Sequence, residues 1–408
     1  MTTRRYPRWS ELAPLLRPRR PALRPVEHRL APAVSIADLR LAARRRAPRA
    51  VFDYTDGAAG DERTLSRMRD AFARVEFHPT VLRDVARIDT STDILGRPAA
   101  LPLVFGPTGF TRMMHTEGEP AVGRVAARAG IPYALSTMGT TSIERLAAEA
   151  PGGRLWFQLY LWRDRGAGRD FVARAAAAGY EALVLTVDTP VAGPRLRDAR
   201  NGLTIPPSLT LRTFLDGATR PGWWWDLLTT EPLEFASLRR FEGTVADLIG
   251  RMFDPAATIA DVEWLRDAWG GPLVVKGIQN AADARAVVDA GVDAVVVSNH
   301  GGRQLDRAPV PLEVLPEVLD AVGDRADVYL DGGIMSGGDV VAAVAMGARA
   351  ALVGRAYLYG LMAGGERGVA RAADILAGEV RSTMALLGVT SVAELGPRHV
   401  SLRPPGAG

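Results

Sequence analysis

From about residue 100 onward, eight short runs rich in valine, leucine and isoleucine recur: LPLVFG (101–106), IPYALS (131–136), RLWFQLY (154–160), EALVLTV (181–187), PLVVKG (272–277), DAVVVSN (293–299), DVYLDG (327–332) and RAALVG (349–354). None alternates polar with apolar positions, so each reads as a strand buried on both faces of a parallel sheet. The intervening segments carry helix signals. Ser142 is placed to cap IERLAAEA, Asn280 to cap AADARAVVDAG before Gly291, and Asp339 opens VVAAVAM before Gly347. Eight strand–helix units predict an α/β chain folded as a (β/α)8 TIM barrel. An open doubly wound sheet is the alternative, but no G-x-G-x-x-G follows the first strand.

Two stretches depart from this rhythm. Residues 51–95 read as helices leading into the barrel, an N-terminal helical extension. The fourth and fifth strand ends lie 90 residues apart where the other intervals are 22 to 33, so a long insertion, about 200–262, follows strand 4. It holds Pro206-Pro207, the cluster Trp223-Trp224-Trp225 and the segment FEGTVADLIGRMF (241–253). Insertions of this kind form lids or contact surfaces over the active face of a barrel. Adjacent tryptophans suit a membrane-interface belt, but burial under their own loop is the plainer expectation.

Composition narrows the function. Hydrophobic residues make up 47% and charged residues 24% of 408, which excludes a wholly disordered chain. The most apolar stretch, Val340 to Gly365, is cut by Arg349 and Arg355, so no membrane-spanning run is expected. The absence of cysteine excludes disulfides, thiolate metal sites, iron–sulfur clusters and thiol nucleophiles; no metal is expected. Lys276 is the single lysine beside 49 arginines, which marks it for chemistry that a broad guanidinium cannot supply. Residues 1–50 hold 13 arginines against Glu11, Glu27 and Asp38. The division expected is therefore a basic Arg/Pro-rich arm, 1–35, and a barrel domain, 36–408. Thr3-Arg4-Arg5 has no apolar stretch after it, so the expected location is cytoplasmic. The arm suits peripheral contact with the anionic inner face of a membrane, or serves as a solvated tail; no nucleic-acid partner is expected.

In a barrel, chemistry gathers at the C-terminal ends of the strands. Those ends carry Thr108, Ser136, Gln158 with Tyr160, Thr186 with Asp188, Lys276, Ser298 with His300, Asp331 and Arg355. The glycines of LDGGIMSG (330–337) and VGRAY (353–357), each followed by a helix, make a phosphate cradle between strands 7 and 8. His300 lies in a glycine-rich loop three residues before Arg303. Asp188 is placed to hold its tautomer, and Arg195 adds a second cation. Two arginines around a base suggest a carboxylate substrate gripped bidentately. If the phosphorylated ligand is FMN, Lys276 suits the N1–O2 edge of the flavin, where negative charge develops on reduction.

With these residues the chain resembles the FMN-dependent L-2-hydroxy acid dehydrogenases and oxidases from about Ile36 to His399. The resemblance rests on SNHGGRQLD (298–306), supported in order by FDYTDGAAGDE (52–62), GPTGF (106–110), FQLYLWRDR (157–165), LTVDTPVAG (185–193), VVKGI (274–278) and LDGGI (330–334). It looks closest to bacterial quinone-linked L-lactate dehydrogenases. The resemblance implies oxidation of L-lactate, a small L-2-hydroxy acid, to pyruvate. It also implies FMN as cofactor, a quinone or similar acceptor, and a homotetramer. It makes His300 the base and Asp188 its partner, with Tyr54, Tyr160, Arg195 and Arg303 binding substrate. Pro107, Thr108, Gly109, Ser136, Gln158, Thr186, Lys276 and Ser298 become flavin contacts, and Asp331, Gly333, Gly354 and Arg355 ribityl or phosphate contacts.

Departures accompany the resemblance. Met335 stands where many members have arginine, so Arg355 is expected to carry more of the phosphate. Met138 stands where several have an aromatic residue near the substrate tail, and Gly109 where some oxidases have alanine, a lean towards dehydrogenase. The alternatives are an oxygen-using oxidase and a dehydrogenase of a larger acid such as mandelate. An FMN-barrel isomerase would not need His300, Arg303 and Arg195 together, and a non-catalytic flavin-binding protein would not need all the strand-end residues.

Overall fold

A computed structural model describes residues 8–12, 25–202, 218–236, 253–404 and 406. Pro206-Pro207 and residues 241–252 of the FEGTVADLIGRMF segment, as well as most of the arm before residue 25, lie outside the described residues.

All eight apolar runs form strands: β1 (Leu103–Phe105), β2 (Tyr133–Ser136), β3 (Leu155–Tyr160), β4 (Ala182–Thr186), β5 (Leu273–Ile278), β6 (Ala294–Val297), β7 (Asp327–Asp331) and β8 (Ala350–Val353). They pair in parallel in sequence order and close into a barrel, β8 meeting β1 through Val353 and Phe105. Residues alternate between inside and outside, and both sides are apolar. Val104, Trp156, Val184, Val274, Val296, Tyr329 and Leu352 fill the barrel interior. Ile94 and Ala99, from a hairpin that precedes β1, pack into the same cluster. The other strand face meets the helices. Burial on both faces is why the runs lack alternation.

Side-chain caps fix the helix starts. Ser142 accepts from the Arg145 amide at 3.2 Å and Asn280 from the Asp283 amide at 2.8 Å. The helix expected to open at Asp339 begins earlier, at Gly337, because Ser336 caps it by accepting from the Asp339 amide at 3.0 Å. β5 is irregular: its pairing with β6 shifts register between Lys276 and Ile278, and Gly277 lies there at φ +113°.

The lead-in differs in part from expectation. Arg49–Asp56 and Arg63–Ala73 are helices, but Val75–Phe77 is a strand paired with Val400–Leu402, and the hairpin follows it. Residues 25–30, assigned from composition to the arm, form a helix. There Leu30 is buried, and Glu27 pairs with Arg367 of the C-terminal helix at 2.9 Å. The tryptophan cluster also divides. It lies on the helix Pro221–Leu228, whose 100° turn per residue buries Trp223 and leaves Trp225 71% exposed. Of the three only Trp223 is buried, and it packs against the main core, its indole N–H donating to Met113 O at 3.2 Å. Among the described residues no helix is long and apolar enough to cross a membrane.

Candidate active site

A cleft opens at the C-terminal mouth of the barrel, and its wall brings together residues from every strand end. His300 sits in it just beyond β6. Three successive residues, His300, Gly301 and Gly302, have φ of 58°, 62° and 75°. Two glycines follow the histidine because L side chains resist this region, and His300 itself bears the strain. The loop is fixed by Asn299, whose amide oxygen accepts from the Gly302 N–H at 3.1 Å, and by the His300 N–H donating to Ser298 Oγ at 3.0 Å.

Nδ1 of His300 lies 2.9 Å from Asp188 Oδ1. Donation from Nδ1–H to this carboxylate leaves Nε2 as the ring acceptor. Asp188 does not line this cleft; it stands behind the imidazole with its side chain almost wholly buried. Its second oxygen, Oδ2, has no partner among the described residues. Gly277 backs this arrangement: a Cβ there would meet Asp188 Cβ at 2.8 Å and Cγ at 2.9 Å. The β5 bulge thus lets Asp188 pack directly against the backbone, as bulges beside active sites re-aim side chains.

Lys276, on the same bulged strand, is buried beneath the cleft. Its Nζ donates to Ser298 Oγ at 2.9 Å and lies 2.9 Å from Asp331 Oδ2. Burial works against its charge, but Asp331 and Asp188 outweigh it and hold the ammonium above its ordinary value. The same burial works against the Asp331 carboxylate, and Lys276 and the Ser298 hydroxyl reverse it, leaving Asp331 below the usual range. Ser298 donates to Asp331 Oδ2 at 2.6 Å while accepting from Lys276 and the His300 amide. Its hydroxyl is saturated, and it does not line the cleft. Ser298 thereby forms a buried junction joining Lys276, Asp331 and His300.

The remaining polar wall points outward. Gln158 Oε1 accepts from Ser136 Oγ at 2.9 Å and the Thr137 amide at 3.3 Å, so its Nε2 is turned the other way. That Nε2 and Thr186 Oγ1 are buried without a partner among the described residues, and both residues line the cleft. Buried orphan donors are rare and call for an acceptor-bearing ligand. Thr108 lines the cleft too, but its hydroxyl is engaged with Tyr357 at 2.7 Å.

Tyr54 comes from outside the barrel, on the helix Arg49–Asp56. The guanidiniums of Arg303 and Arg195 lie 4.9 and 5.3 Å from its ring centre. Burial, and then the neighbouring Arg195 charge, push Arg303 down to about 10. Two crowded guanidiniums in a cleft make a site for an anion. Burial, then the charge of Asp188, raises the Tyr160 phenol above its ordinary value, keeping it a neutral donor.

Arg355 is less free than expected. Its Nε donates to Thr55 O at 2.9 Å, and its terminal nitrogens to Gly301 O at 2.9 Å and Gly57 O at 2.7 Å. It clamps three carbonyls on two backbone segments and keeps two N–H groups for a ligand. Met335 lines the cleft beside Gly333 and Gly354; the Arg69 guanidinium donates to the Gly333 carbonyl and to Asp339 Oδ2 at 2.8 Å but does not line the cleft. Pro107, Gly109, Ser136 and Met138 complete the expected wall.

Every expected site residue therefore reaches the cleft except Asp188 and Ser298, which support it from behind. Sequence reasoning missed Gly277, although a glycine inside an otherwise apolar strand is a bulge signal. It also missed Gln304, whose amide donates to Val191 O at 2.9 Å and Asp188 O at 3.3 Å.

The signature of the FMN-dependent dehydrogenase family matches residues 43–402. The chain is 58% identical over 398 residues to a Mycobacterium tuberculosis (strain ATCC 25618 / H37Rv) protein named "Putative L-lactate dehydrogenase", covering 98% of this chain and 96% of that one. It is 44% identical over 381 residues to the L-lactate dehydrogenase of Caulobacter vibrioides (strain NA1000 / CB15N), covering 92% and 99%. Among solved structures, a monotopic membrane protein, (S)-mandelate dehydrogenase, superposes with a TM-score of 0.87 at 38% identity, covering 91% of this chain and all of that one.

Proposed function

The chain belongs to the FMN-dependent dehydrogenases, and within that family we propose that it oxidises L-lactate to pyruvate. The observation that carries this reading is the arrangement around His300: an imidazole held by Asp188 at 2.9 Å, its acceptor nitrogen unengaged among the described residues, in a cleft that also holds Arg195, Arg303 and two tyrosines. Arg195 and Arg303 bind the substrate carboxylate, and Tyr54 and Tyr160 donate to its oxygens. His300 Nε2 takes the proton of the substrate hydroxyl, and Asp188 stabilises the imidazolium that results. When bound, FMN would supply the oxidant, taking the α-hydrogen with its two electrons as the α-carbon becomes a carbonyl carbon. The orphan donors Gln158 Nε2 and Thr186 Oγ1 fit a heteroaromatic ring with acceptor atoms. With Pro107, Thr108, Gly109, Ser136 and Lys276 they would hold that ring. Asp331, Gly333, Gly354 and Arg355 would hold its ribityl phosphate.

The acceptor we propose is a quinone, reached by peripheral contact with a membrane. This is supported by Trp225 and Leu228, 71% and 72% exposed three residues apart on one helix face, and by the arginine-rich N-terminus. A larger acid such as mandelate is the second reading, favoured by Met138 in the cleft wall, an unbranched side chain able to yield to a bulky tail. Anaerobic addition of L-lactate should bleach the flavin and D-lactate should not. Bleaching by L-mandelate and not by L-lactate would replace the first reading with the second.

A further inference from the structure

Arg195 does not stand on the barrel. It precedes a helix of six residues, Leu196–Asn201, too short to hold itself in water. Three carboxylates on the segment that carries Tyr54 hold this helix instead, and Asp198 on the helix pairs with Arg195 Nε at 3.0 Å. One terminal nitrogen of Arg197 donates to Asp56 Oδ2 at 2.9 Å and Asp53 Oδ1 at 3.4 Å, and the other to Glu62. Asn201 Nδ2 donates to Asp53 Oδ2 at 2.7 Å. Asp56 is fixed from its far side by Arg40 and by the Tyr359 hydroxyl at 2.8 Å. The Gly60 N–H donates to Pro194 O at 2.9 Å, immediately before Arg195.

We propose that Arg197, seconded by Asn201, is a latch that positions Arg195 over Tyr54 and thereby sets affinity for the substrate carboxylate. This rests on the reading of Arg195 as a carboxylate ligand. Arg197 itself does not line the cleft; it is a positioning residue. The proton-transfer pair is anchored elsewhere, His300 through Ser298 and Asp188 against Gly277. Loosening the latch therefore weakens binding and leaves the proton and electron steps in place. A merely stabilising ion pair would lower thermal stability without this split.

The test uses the FMN-loaded enzyme. Flavin reduction is followed by anaerobic stopped flow against L-lactate concentration, and oxalate, an unreactive dicarboxylate, is titrated through the flavin absorbance. Arg197→Gln should raise the apparent Kd for both about tenfold, with Arg197→Lys in between. The limiting reduction rate should stay within about twofold of wild type. Asn201→Ala reaches the same helix through a different bond and should raise both constants in the same direction, which keeps the test open if Arg197→Gln folds poorly. Unchanged Kd values, or a limiting rate that falls while Kd stays put, would overturn the latch. If wild type is not bleached by L-lactate, the lactate reading fails, and the oxalate titration still decides the latch.

Discussion

Gly277→Ala adds one methyl group to a strand that never touches substrate, and it should disable the His300–Asp188 pair. The new Cβ would lie 2.8 Å from Asp188 Cβ and 2.9 Å from both its Cγ and its backbone nitrogen. That is about 0.6 Å short of ordinary van der Waals contact. Lys276 and Ile278 hold the strand in the barrel on either side, so Asp188 is the partner that must give way. A displacement of this size stretches the 2.9 Å bond to His300 towards the limit of a hydrogen bond. Misplacements of about 1 Å cost up to about 10²-fold in rate, so a loss of ten- to a hundredfold in flavin reduction is expected. Alanine at φ +113° adds a backbone cost of about 1–3 kcal/mol, visible as a lower Tm. The assay is the limiting rate of flavin reduction by L-lactate in anaerobic stopped flow, with flavin content checked by absorbance. Gly270→Ala, where a Cβ meets nothing within 4 Å, is the control and should match wild type. A Gly277→Ala enzyme that reduces within about threefold of wild type would show that backbone packing does not set Asp188.

Lys276→Met leaves the buried Asp331 carboxylate without its cation, which should cost about 3–5 kcal/mol and lower both the Tm and the flavin midpoint potential. In wild type the Asp331 carboxyl is lowered, so its share of stability is present above its unfolded value near 4 and lost as pH falls below that; Lys276 is raised, so its share is lost only as pH climbs above about 10. A Tm profile of Lys276→Met that parallels wild type below pH 4 would contradict this account. Met335→Arg places a guanidinium beside Gly333 and Gly354 and should tighten FMN binding to the apoprotein about tenfold, read by quenching of flavin fluorescence. Trp225→Ser combined with Leu228→Ser should reduce sedimentation with acidic vesicles; equal sedimentation would free this helix from the membrane reading.

The barrel was legible because burial on both strand faces leaves a continuous apolar run, a signal that needs no knowledge of partners. The eight strand ends followed from it, and so did Lys276 and Gln158, which lie within strands, and His300, three residues beyond Val297. Residues whose role depends on what crosses from another strand were not legible. Gly277 matters only because Asp188 arrives from β4, and Ser298 is saturated only because Lys276 and Asp331 flank it. Arg355 was read as a phosphate ligand because its local sequence lies beside a glycine; the three carbonyls that occupy it come from residues 55, 57 and 301. Short strands in the lead-in escaped because three-residue pairings carry no period of their own.

The Arg355 clamp also orders events in time. Thr55 and Gly57 leave the ribosome some 300 residues before the arginine that fixes them. At about 5–20 residues per second, the segment bearing Tyr54 waits about 15–60 s for its partner. Throughout that interval the first strands can pair while the mouth has no clamp, and no fragment ending before β8 can complete it. The barrel mouth therefore stays unclamped until Arg355 has emerged, and a chain cut short before β8 carries a partial barrel without a working pocket.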